Sequence, residues 1–84
     1  MPLYSFDLFS TGLAYVDEVQ CECCDRFAAD HHARELLTVA IGRHEIAGRP
    51  SAAFTALVYE EGFGIILSLI VRPGDAVQVG WVNA

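Results

Sequence analysis

The spacing of apolar side chains changes twice along the chain. From Leu3 to Phe9 it follows the two-residue repeat of a strand, with Tyr4, Phe6 and Leu8 set against Ser5, Asp7 and Phe9. Ser10-Thr11-Gly12 supplies a turn, Leu13–Val16 a second strand, and Val19–Cys23 its continuation or a short third strand. Asp17-Glu18 interrupts the two and marks a bend or a bulge. Beyond Asp25 the repeat lengthens. Ala29, Ala33, Leu36, Leu37, Ala40 and Ile41 form one helical stripe, with His31, Arg34, Glu35, Thr38 and Glu45 on the other side. The spacing predicts a single amphipathic helix from about Asp25 to Ala47, N-capped by Asp25 and closed by Gly48 and Pro50.

Period two then returns. Phe54–Glu60 reads as a strand, Glu61-Gly62 as a tight turn, and Phe63–Val71 as an antiparallel return strand buried on both faces. Arg72-Pro73-Gly74-Asp75 is a second turn, because Pro fixes φ and Gly takes positive φ without strain. In the tail, Val77, Val79 and Trp81 alternate with Gln78 and Gly80, which suits a last strand or an arm reaching a partner. The order ββ(β)αβββ describes one α+β domain over residues 1–84: an antiparallel sheet of four to five strands with one helix on one face, residues 72–84 being the extra strand or arm.

A single helix covers only one face of a sheet. The other face then needs a cover, and a second copy of the chain is the simplest one. With 54% hydrophobic residues in 84, the chain carries more apolar material than a lone small domain hides readily. The expectation is a homodimer, formed through the face opposite the helix or through the C-terminal strands, with Leu67, Leu69, Val71 and Trp81 at the contact.

Charge narrows the partners. The net charge is −6, from eleven carboxylates against five basic residues, all arginine (26, 34, 43, 49 and 72) and scattered. Nucleic acids and anionic membranes require clustered Lys and Arg, so neither is expected as a partner. A basic protein partner suits the acidic surface. The N-terminus lacks the basic and apolar regions of a secretion signal, and no apolar run approaches the ~20 residues of a membrane helix, so a cytoplasmic protein is expected.

Chemistry-bearing residues are few, and no enzyme is expected. Cys21, Cys23 and Cys24 with His31 and His32 invite a zinc reading, with Cys21, Cys23 and His31 as the ligand set. The spacing lacks paired CxxC knuckles, and buried small residues or a redox-responsive cluster are the other readings. His31-His32-Ala33-Arg34-Glu35 does not place two histidines at i and i+4 around a glutamate, as a metalloprotease helix does. His44 falls on the apolar stripe, as a packed histidine or, less simply, part of a cleft shared across a dimer. Arg72–Val77 resembles the Pro-Gly-Asp-x-Val turn of lipoyl and biotinyl carrier domains, but the lysine that bears their cofactor is missing, and no cofactor is expected.

Met1, Tyr4, Phe6 and Asp7, then Asp17, Glu18 and Glu22, then Asp25 with Ala28, Ala29, Ala33 and Glu35-Leu36-Leu37 form a series, which Tyr59-Glu60-Glu61-Gly62 completes. This series resembles a group of short bacterial proteins, frequent in rhizobia and other alphaproteobacteria, known as a domain of unknown function. The chain departs from it in Gln20, where Gly is usual, in the cysteines around Glu22, and in the tail Arg72–Ala84. The layout is also similar to that of HicB-type antitoxins, with their partial ribonuclease-H-like fold. That resemblance implies an antitoxin-like binder of a basic partner.

Overall fold

The structure is a computed structural model that describes residues 2–10, 13–46, 53–72 and 74–82. The elements run β1 (Leu3–Ser10), β2 (Leu13–Glu22), α1 (Arg26–Ile46), β3 (Phe54–Glu60), β4 (Gly64–Val71) and β5 (Gln78–Trp81). The strands form one antiparallel sheet in the order β2-β1-β3-β4-β5. The α+β reading with a single helix on one face holds. The tail pairs within its own sheet, beside β4. The turn at Thr11-Gly12 and the helix stop at Gly48 and Pro50 lie outside the described residues.

β2 is one continuous strand. Its pairing with β1 shifts between Leu8↔Asp17 and Ser10↔Leu13, so the interruption expected at Asp17-Glu18 is a register irregularity directly before Asp17. α1 leaves this edge strand, crosses the sheet and delivers the chain to β3 at its centre. It starts where Asp25 Oδ1 accepts the backbone N–H of Ala28 at 2.8 Å, satisfying one of the free donors of the first turn. Ala29, Ala33 and Leu37 are fully buried, with Leu36, Ala40 and Ile41 packed around them. Two alanines on the helix and Ala56 on the sheet leave no bulk between the layers.

Alternation sorts the strands. Tyr4, Phe6 and Leu8 on β1 face α1 together with Phe54, Ala56 and Val58 on β3, while Ser5, Asp7, Thr55, Leu57 and Tyr59 face away. β4 breaks the alternation once. Val58 pairs with Leu67 and Tyr59 with Ile65, so Ile66 is an extra residue, and this bulge turns both Ile66 and Leu67 into the core. β4 is not buried on both faces, contrary to the sequence expectation. Ile65 is exposed, and Ser68 and Ile70 are half-buried on the uncovered face. At the β3–β4 turn Phe63 N–H donates to Glu60 O at 3.0 Å, and Gly62 takes the φ of +88° that an L side chain resists.

Candidate interaction surface

The four residues expected at a dimer contact all belong to the helix-side rows of β4 and β5. Leu67 and Leu69 are 0% exposed in the core and so do not form a surface contact. Val71 is packed against that core. Trp81, paired with Leu67, is the one of the four with a large free surface, at 43%. The error has a physical origin. β4 offers two alternating sets, Leu67-Leu69-Val71 and Ile66-Ser68-Ile70, and the first looks the more adhesive. A row without a polar residue is the one the helix covers, and Ser68 marks the other as the open side.

The face away from α1 carries Leu3, Leu57 and Ile70 among hydroxyls and an acid. Its polar groups are tied to one another: the Tyr59 hydroxyl donates to Asp7, and Gln20 Nε2 donates to Ser5 Oγ at 3.5 Å. Burial and then the Asp7 charge raise the Tyr59 hydroxyl above its ordinary value. This face is mixed, neither a bare apolar sheet nor a charged one.

The exposed apolar residues are concentrated in the C-terminal part of the chain, Ile65 on this open face and Val79 and Trp81 on the helix side. Of the eight exposed large hydrophobics among the described residues, six fall between Phe63 and Val82: Phe63, Ile65, Val77, Val79, Trp81 and Val82. Phe27, 78% exposed, reaches this group from the first turn of α1, its ring 6.2 Å from that of Trp81 in an edge-on arrangement. Sequence reasoning missed Phe27. Its signal is position: two residues before Ala29 it falls off the buried stripe, where a large aromatic has no core to enter.

A charged anchor fixes that end of the helix to the sheet. Arg26 Nε donates to Glu60 Oε1 at 3.0 Å, the Tyr4 hydroxyl donates to the same carboxylate, and the Arg26 guanidinium lies 5.5 Å from the Phe63 ring centre. The Arg26 hydrogen bond, helped by Tyr4, holds the Glu60 carboxyl below its ordinary value. Burial and then Glu60 push the Tyr4 hydroxyl up to about 12. These groups satisfy one another, and the arrangement serves attachment.

The cysteines and histidines are dispersed. Cys21 lies beside Tyr4 on β2, Cys23 is buried, and Cys24 is exposed. Burial, followed by the Cys21 thiol, pushes the Cys23 thiol up to about 11, away from the thiolate a metal or an oxidant engages. His31 points to solvent and meets Glu35 at 2.9 Å, so Cys21, Cys23 and His31 do not assemble. No group of three His, Cys, Asp or Glu among the described residues is placed to hold a metal ion. His32 packs edge-on against Phe6 at 5.0 Å and His44 against Phe54 at 5.2 Å, both as helix-to-sheet packing.

No helix of the structure is long and apolar enough to cross a membrane. No protein-family model, curated protein or solved structure matches the chain.

Proposed function

We propose that the chain is a small acidic interaction protein, not an enzyme, that works as a homodimer. The observation that supports this most is the number of exposed apolar residues between Phe63 and Val82, with Phe27 against Trp81. Exposed apolar side chains in such number, partly aromatic, mark a protein contact. The net charge of −6 suits a basic protein as the partner the dimer serves. A cytoplasmic setting, in which the three free thiols stay reduced, goes with this reading.

Native mass spectrometry of untagged protein, purified without chelator, tests it. The expected result is a dimer of bare chains that dissociates on dilution. A monomer at every concentration overturns the homodimer, and a bound metal turns attention to the cysteines.

A further inference from the structure

The sheet has two open edges, β2 and β5, and they differ in kind. β2 spans ten residues and its sequence includes Asp17, Glu18 and Glu22. Charged residues along an edge are a common guard against a further strand. β5, with the sequence Gln-Val-Gly-Trp, and the Val82 that follows carry no charge at all. For two chains of net charge −6, β5 is the edge at which acid does not meet acid.

The hydrogen bonds of β5 show what its free side offers. Val82 N–H donates to Ile66 O at 2.9 Å, which makes Val82 and Ile66 a hydrogen-bonded pair in continuation of the β4–β5 register. In an antiparallel ladder such pairs alternate. Gly80 and Gln78 therefore also bond inward to β4, and the N–H and C=O groups of Val79 and Trp81 point away from the sheet. Their side chains stand on the helix side, where Phe27 of α1 reaches Trp81. The edge thus presents an unpaired backbone ladder and an apolar row together.

We infer that β5 is the seam of the homodimer: β5 of a second copy adds to it antiparallel, and the two sheets become one of ten strands. This rests on the self-association proposed above and adds its geometry. With the two-fold axis at Gly80, Val79 lies opposite Trp81 of the partner subunit, an aromatic and β-branched pairing that favours cross-strand contact. The contact is closed, since each chain uses the same strand and the acidic β2 edges end the sheet on both sides. A seam this short covers less than the ~1,600 Å² of an ordinary stable interface, so Phe27, Val77 and Trp81 must add side-chain area, and the dimer is expected to be reversible.

Two measurements test the seam. Amide exchange followed by NMR reads the outward N–H groups of Val79 and Trp81, which nothing among the described residues of the single chain protects. They should slow by about tenfold or more between dilute and concentrated protein, while the N–H of Gly80, which the register turns inward to Ser68, should stay protected throughout. Val79→Pro removes one outward N–H and none of the β4–β5 bonds, as an edge proline does. This variant should stay folded and become monomeric. Should the wild type dimerise without slowing Val79 and Trp81, or Val79→Pro still dimerise, the seam is wrong while self-association stands. A wild type that is monomeric at every concentration overturns both. If Val79→Pro fails to fold, the exchange of the wild type decides.

Discussion

The two faces of the central strands share a backbone and differ in everything else. On β1 and β3, the residues turned to α1 are Tyr4, Phe6, Leu8, Ala56 and Val58, all buried. Those turned away are Ser5, Asp7, Thr55, Leu57 and Tyr59, all half-buried, with Tyr59 donating to Asp7 and Ser5 accepting from Gln20. One face is a core with a single charged anchor at its end; the other is a surface that satisfies its own polar groups. Apolar content alone does not distinguish them, because Leu57 and Ile70 stand on the open side. What separates them is whether a helix of small residues comes down on the row.

The largest effect expected from this contrast comes from adjacent residues of β4. Leu69→Asp places a carboxylate at a 0% exposed position, and should cost about 4 kcal/mol or more and leave the chain unfolded. Ile70→Asp, one residue on and on the opposite face, should cost about 1 kcal/mol and keep native far-ultraviolet dichroism. Equal damage from both would mean that the open face is covered as well. A milder pair repeats the comparison across the sheet. Leu67→Ala should lower the urea-derived stability by about 3 kcal/mol, and Leu57→Ala by about 1 kcal/mol.

How much of this was legible in the sequence follows from which forces act locally. The strands β1, β3 and β4, the helix and its Asp25 cap came from periodicity and turn chemistry, which depend on neighbours in the chain, whereas the unity of β2 and the pairing of β5 were left open. The β4 bulge at Ile66 did not, since nothing within Ile65-Ile66-Leu67 says which residue is the extra one. The misplaced contact has another origin. Leu67 and Leu69 looked adhesive because they are apolar, and they are apolar because they are core. The Tyr4–Glu60–Arg26 anchor joins three separate elements, and its members are unremarkable where they stand in the chain. The difference between the edges was closer to the surface of the sequence. The acids of β2 and the uncharged β5 are both plain to read, once the strand order makes them edges.

The two tyrosines at the faces sharpen the contrast through pH. Tyr4 ionises at about 12 in the folded chain against an ordinary value of 10.0, and Cys23 at about 11 against 9.0. For such groups the unfolded chain gives up its proton first. Their contribution is therefore full below pH 9 and falls as pH rises, between 9 and 11 for Cys23 and between 10 and 12 for Tyr4. Tyr59, raised in the same direction, adds to the loss above pH 10. Glu60 acts at the other end. Its depressed carboxyl contributes above the ordinary value of 4.5, and the contribution is lost as pH falls through the lower folded value. Urea midpoints measured across pH should therefore form a plateau with an acid and an alkaline flank. Tyr4→Phe should shorten the alkaline flank at its upper end and remove one donor to Glu60. An alkaline flank that Tyr4→Phe leaves unchanged would mean that Tyr4 is solvated, and the helix side less dry than its burial implies.

The smallest expected effect concerns two serines on opposite faces of β1. Ser10 lies on the helix side, 6% exposed, and its hydroxyl is the one buried side-chain oxygen or nitrogen without a hydrogen-bond partner among the described residues. Ser5, on the open side, accepts from Gln20 near solvent. A buried hydroxyl without a partner carries its full desolvation penalty, whereas a half-exposed one exchanges a protein bond for a water bond at little cost. Ser10→Ala should therefore raise stability by about 1 kcal/mol, and Ser5→Ala should stay within about 0.5 kcal/mol of the parent. The sign is the informative part. If Ser10→Ala destabilises, the hydroxyl is satisfied by water, and the dry face of the sheet ends before Ser10 rather than beyond it.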